Sequence, residues 1–276
     1  MKKLILILLA IVSLPAFAQK KEKIKGNREV LIKKFTVPSF SAIEVGEKFK
    51  VKLQKATDTT RVVIEADDNL FDVIHFNVEN DVLKFWTTME IVKKKRLRIT
   101  VFVPDHFHKI KLIEKGKVFN DEQLDLKTLE LEANDKSEAE LNLHLKDNLE
   151  LTALGKPDLN LEVFAPKASI RLSDDAELEA KVNIKSATID MDKHASCKLE
   201  GSIDQLILKA GEKAEVKAEK LLAKEVKLSV FDKATVYINV SNQIKMNLSG
   251  KTETYLFGSP EIKLKTFEGN AVLYKK

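Results

Sequence analysis

From Ile110 onward an aliphatic-x-aliphatic pair returns every 17 to 21 residues: Ile110/Leu112, Leu129/Leu131, Leu149/Leu151, Ile170/Leu172, Ile189/Met191, Leu206/Leu208, Val226/Leu228, Ile244/Met246 and Ile262/Leu264. No polar residue takes either slot in any pair. A turn signal follows each one: Gly116-Lys117, Asp135-Lys136, Gly155-Lys156, Asp174-Asp175, Asp192-Lys193, Gly211-Glu212, Asp232-Lys233, Gly250-Lys251 and Gly269-Asn270. Gly, Asn and Asp tolerate turn and left-handed backbone that other residues resist. A second alternating stretch comes next, as in Leu141/Leu143/Leu145, Leu159/Leu161/Val163 and Val236/Ile238/Val240. Period two means a strand with one face buried.

An antiparallel meander also has short strands and regular turns, but it does not require the same slot to be aliphatic in every unit. A parallel solenoid does, because each slot stacks about 4.8 Å from its equivalent in the next coil. The chain is therefore expected to be all-β, a parallel β-helix or solenoid of about nine coils and roughly 40 Å long. One stretch pulls the other way. Ala214 to Lys227 (AEVKAEKLLAKEVK) is made of strong helix formers. The repeat register nevertheless places Val216 and Ala218 on the inward face of a strand, and strand is the expectation.

Residues 1–18 read as a cleavable signal peptide. Lys2 and Lys3 supply the basic start, Leu4 to Leu14 the apolar run, and Ala16-Phe17-Ala18 the cleavage signal. The run is too short for a membrane span of about 20 residues. The product is expected to be exported, periplasmic or extracellular, without membrane insertion. Residues 19–36 read as a flexible N-terminal segment. Residues 37–108 carry strands without the twenty-residue rhythm: Ala42 to Val45, Phe49 to Leu53, Arg61 to Ala66, Val82 to Thr87 and Leu97 to Val103. Phe71 to Val78 fits a short helix or another strand. This region is expected to cap the open end of the repeats, which occupy 109–276.

The order Phe40-x-x-Ile43-x-Val45, Phe49-Lys50-Val51-x-Leu53, Val62-x-Ile64, Asp68-Asn69-Leu70, Leu83-x-Phe85 and Ile99-x-Val101-x-Val103-Pro104, followed by the repeats, resembles the auto-transporter adhesin family built on the head GIN domain. The resemblance runs from about Val37 to Tyr274. It implies a right-handed parallel β-helix with an N-terminal β-rich capping region, an exported bacterial protein, and no established activity. The family's Ser-Gly-Ser-Gly turns are mostly replaced here by acid-Lys or Gly-Lys, and only Ser249-Gly250 keeps part of that pattern.

The chemistry-bearing residues are sparse. The 47 basic and 42 acidic side chains are interleaved, and loss of Lys2 and Lys3 lowers the net charge by two from +5. No basic face with interleaved aromatics marks a nucleic-acid binder, and none is expected as a partner. The densest basic run, Lys93 to Arg98 (KKKRLR), reads as a solvated loop entering a strand, with an anionic or glycan partner as the alternative. The single Cys197 excludes an internal disulfide and falls on an inward slot.

His106 and His108 share a face if extended, but lack a third metal ligand. His194 lies in a turn. The turn acids Asp135, Asp174, Asp175, Asp192, Glu212 and Asp232 could form a calcium column as in β-rolls. The Lys that follows most turn residues favours charge pairing between coils instead. Outside the core the chain has little in the way of convergent carboxylates or aromatic platforms, and nucleophile motifs such as G-x-S-x-G are absent. No catalytic, cofactor-binding or metal-binding residues are assigned, no cofactor is expected, and the chain is read as not an enzyme. The reading is an adhesion or envelope-binding module whose partner is a protein or glycan at the cell surface. The alternatives are a self-assembling structural module, with a homo-oligomer formed through the last coil, and more remotely a polysaccharide-active enzyme.

Overall fold

The computed structural model describes residues 21–57 and 59–276. The expected signal peptide at 1–18 lies outside the described residues. The chain is a parallel β-solenoid of about nine coils. Its longest strands, Asp158–Leu172, Glu177–Met191, Ser196–Ala210 and Glu215–Val230, each sweep around more than one face of the coil. Alternation resets at the corners. In Glu215–Val230 the exposed pairs Glu219-Lys220 and Lys224-Glu225 separate inward Val216/Ala218, Leu221/Ala223 and Val226/Leu228/Val230. The helix-forming stretch is thus strand, because helix would have placed charged side chains in the core.

The core is a set of side-chain ladders. One runs Ile110, Leu131, Leu151, Ile170, Ile189, Leu208, Leu228, Met246 and Leu264, each in register with the next. All but the last are buried, and each buried side chain is worth roughly 1.5–3 kcal/mol. The register differs by two residues from the simplest reading of the repeats. Ile110 aligns with Leu131 and not Leu129, and Ile189 with Leu208 and not Leu206. The paired ladder contains Leu149, Ala168, Ala187 and Leu206. The small Ala168 and Ala187 hide that column in the sequence.

A second column is made of backbone. At one corner a residue of each coil has positive φ: Glu47, Glu114, Asp135, Gly155, Asp174, Lys193, Glu212, Asp232, Gly250 and Gly269. Two residues later the chain always turns inward on a small or compact side chain in the repeats, Ser137, Pro157, Ala176, Ala195, Ala214, Ala234 and Thr252 among them. The corner carries the ladder with it. The residue after each left-handed position donates its N–H to the left-handed carbonyl of the preceding coil, as in Lys213 N to Lys193 O (2.8 Å) and Lys233 N to Glu212 O (2.8 Å).

The N-terminal region is continuous with this stack. Strand Ala42–Val45 pairs in parallel with Lys109–Leu112, setting Ile43 on Ile110, and Lys50–Lys55 pairs with Lys117–Phe119, setting Val51 on Val118. The ladder therefore reaches below Ile110, through Ile43 to Leu83. Antiparallel strands close that end: Ile74–Glu79 on Val82–Thr87, and Val30–Thr36 on Arg61–Asp67. Phe71 to Val78 resolves into a turn and a strand from Ile74, after a short 3-10 segment Asp68–Leu70.

The expectation of a flexible segment at 19–36 does not hold over 21–36. Lys23–Lys25 pairs with Glu90–Lys93, and Val30–Thr36 pairs with Arg61–Asp67. The reason is that the cap's outer strands otherwise leave open edges, and these two strands occupy them. At the other end, the last coil presents Ile262, Leu264, Phe267 and Val272 to solvent.

Candidate functional site

The turn acids have structural partners. Asp135 Oδ2 accepts the N–H of Glu114 (2.8 Å), Asp174 Oδ2 that of Gly155 (3.0 Å), and Asp232 Oδ2 that of Glu212 (3.3 Å). Each of these three aspartates, all on the left-handed column, caps the left-handed residue one coil below. Lysines supply the charge balance, with Lys193 on Asp174 (2.5 Å) and Lys156 on Asp175 (2.7 Å). These lysines, with the Gly155 N–H at Asp174, hold both carboxyls below the usual range. Asp192 and Glu212 precede or occupy the column without capping a neighbour through their side chains.

The other candidates are dispersed. His106 and His108 fall in the segment between strands Leu97–Val103 and Lys109–Leu112, where His106 Nε2 meets Ser39 Oγ at 3.3 Å and His108 Nδ1 meets the His106 carbonyl at 3.1 Å. His194 is exposed, 3.9 Å from Asp175. Cys197 is buried between Leu178 and Val216, and burial pushes its thiol up to about 12. Among the described residues no three His, Cys, Asp or Glu side chains gather as a metal site would need.

The basic run Lys93 to Arg98 is anchored from beneath by the last residue of strand Arg61–Asp67. Asp67 is fully buried and accepts N–H bonds from Lys95 (2.9 Å), Arg96 (2.8 Å) and Arg28 (3.2 Å). Burial pushes its carboxyl up, but the three N–H donors outweigh that and hold it below the usual range. Gly26 lies so close that a Cβ there would fall 2.0 Å from Asp67 Oδ2.

Two of the concavities among the described residues join an aromatic or aliphatic surface to polar side chains. The first is a trough of about 400 Å³ on the outer wall. Strand alternation turns Phe164 outward, half exposed, with Asn183 and Ser202 in the same slot of the next two coils. Asn142, Glu162 and Lys181 line the neighbouring slot, the last two ion-paired at 3.3 Å. Gly201 leaves the floor without a side chain. His144 lies edge-on to the Phe164 ring at 5.0 Å and bonds Asp125 at 2.7 Å. Elsewhere the walls are crossed by inter-coil pairs such as Lys109–Glu130, Lys117–Glu138 and Lys224–Asp204, each worth about 0–1 kcal/mol.

The second concavity, about 430 Å³, opens in the cap beside the start of the left-handed column. Buried Phe49 and half-buried Ile91 and Leu97 line it with Lys94 and Lys115.

Comparison with known proteins fits this geometry. The model of the family described as "Putative auto-transporter adhesin, head GIN domain" matches residues 39–163 and again 149–260. The chain belongs to this family. The two matches overlap within the repeats, at 149–163. Among solved structures, a "putative adhesin" from Parabacteroides merdae ATCC 43184 is 17% identical with a TM-score of 0.61, covering 92% of this chain and 99% of that one. A "putative adhesin" from Parabacteroides distasonis ATCC 8503 is 17% identical with a TM-score of 0.60, and a "putative lipid binding protein" from the same strain is 13% identical with a TM-score of 0.60. Each covers 92% of this chain and 100% of the other. At these identities the likeness is one of fold. No curated protein matches the chain.

Proposed function

We propose that this member of the head GIN family is an exported, non-catalytic binding module of the cell envelope that grips glycans along its outer wall. The observation that supports this is the Phe164 trough. An exposed aromatic ring with the Asn183 amide in its own slot and the Asn142 amide in the neighbouring one matches the two surfaces of a sugar: the ring face takes the apolar C–H side, and the amides bond the hydroxyls. The rigid stack beneath holds these groups at fixed spacing. The test is a glycan array probed with the chain from Gln19 onward. Binding to a defined set of glycans, weakened about tenfold or more by Phe164→Ala with an unchanged melting temperature, is the expected result. An array without signal above background, or equal binding by the variant, removes the proposal.

The last coil favours a second reading, self-assembly of two copies. Ile262, Leu264, Phe267 and Val272 expose the open end of the core, and strands Glu261–Phe267 and Val272–Lys275 pair on one side only. Tyr237, Tyr255 and Tyr274 stack at 4.4 and 4.6 Å toward that end. A second copy covering it gives a dimer mass by light scattering at high concentration. A one-chain mass discards this reading.

A further inference from the structure

We infer that the cap concavity is a binding site for a small anionic amphiphile, a molecule with an apolar body and one carboxylate or phosphate head. Its volume of about 430 Å³ lies within the range of small-molecule sites, roughly 300–1,000 Å³. Phe49, Ile91 and Leu97 give it an apolar interior. The charged groups around it are unequally satisfied. Glu47 is engaged by Lys21 (2.5 Å) and by the Thr87 hydroxyl (2.6 Å), Glu114 accepts the Glu47 N–H (2.8 Å), and Glu90 faces Lys48 at 3.5 Å.

Lys94 has no carboxylate within ion-pair reach among the described residues. Its pKa is lowered first by loss of hydration and then by the neighbouring Lys50 and Lys48. A cation crowded by cations at the mouth of an apolar cavity is relieved by an anion. The apolar interior selects one carrying a hydrocarbon body, because a hydrated inorganic ion gains nothing from it. The loop that carries Lys94 is fixed by the Asp67 carboxylate under Lys95 and Arg96, so the head-group contact is held in place before a ligand arrives.

This site is separate from the Phe164 trough, and Phe164→Ala leaves it intact, so the two proposals fail independently. The experiment is calorimetric titration of the chain from Gln19 onward with decanoate, decyl phosphate, decanol and acetate, all below micelle-forming concentrations. One-site saturable binding of decanoate or decyl phosphate is expected, about tenfold or more tighter than decanol, with acetate not binding. The preferred head identifies the source as an acyl carboxylate or a phosphate ester. Lys94→Gln lowers the anion affinity about tenfold and leaves decanol unchanged, whereas Leu97→Asn weakens both. Absence of saturable binding by either anion, equal affinity for decanol, binding of acetate as tight as decanoate, or an unaltered anion affinity in Lys94→Gln overturns the inference. Unchanged melting of Lys94→Gln excludes a folding defect as the cause of its loss.

Discussion

Replacing Gly201 by alanine is expected to destabilise the solenoid by about 3 kcal/mol or more, which is at the severe end for a single methyl group. Gly201 has φ of 104°, and a Cβ there would lie 2.1 Å from the Val182 carbonyl oxygen, with Val182 N and C at 3.1 Å. The obstacle is backbone already committed to the inter-coil ladder, because Val182 pairs with Gly201 and Gly201 with Leu221. A left-handed conformation costs an L-residue roughly 1–2 kcal/mol by itself, and the overlap adds the cost of prising two coils apart. Urea unfolding measures the loss. A variant within 0.5 kcal/mol of the parent, by the ordinary surface standard, would show that the corner shifts freely.

Asp67→Ala is expected to cost about 3 kcal/mol of cap stability. The substitution leaves three N–H groups, of Arg28, Lys95 and Arg96, without their buried acceptor, and each hydrogen bond to a charged group is worth about 1.5–3 kcal/mol. Water entering the vacated space recovers part of the sum. Hydrogen exchange should show faster exchange at 26–28 and 93–96 while the strand Glu177–Met191 keeps its protection. Uniform protection across both regions would contradict the assigned role. The pH dependence follows the same group. Its folded pKa lies below the unfolded value of about 3.9. The contribution is therefore complete above that unfolded value and is lost as pH falls through the folded one. The cap, and with it the Lys93 to Arg98 loop, should open in acid before the coils do.

Much of this architecture is legible in the sequence because a stacked repeat states each core position many times over. Period two fixes which face a residue takes, so Val216 and Ala218 are readable as inward despite their helix-prone surroundings. The same period leaves a two-residue slip undetected, since Leu129 and Leu131 face the same way. Only pairing shows that Ala168 and Ala187 complete a ladder. The left-handed column is visible at Asp135, Gly155, Asp174, Asp232, Gly250 and Gly269, and misplaced by one at Lys193 and Glu212. The inward small residue two places later, Ala195 and Ala214, would have corrected both. Phe164 was within reach, because Val163 and Ala165 are inward and it must then point out. Asp67 was not. Its partners lie 39, 28 and 29 residues away, and nothing local distinguishes a buried carboxylate from a turn acid.

The ladder of one-coil steps has a mechanical consequence. The hydrogen bonds between coils run along the long axis, and each coil touches only its neighbours. Tension applied at the last coil then meets one rung at a time and peels the rod instead of shearing it whole. A coil of about 19 residues stretched to about 3.4 Å each releases roughly 65 Å of chain. A molecule holding a surface through its outer wall would lengthen under drag in discrete increments, shedding force before its grip fails.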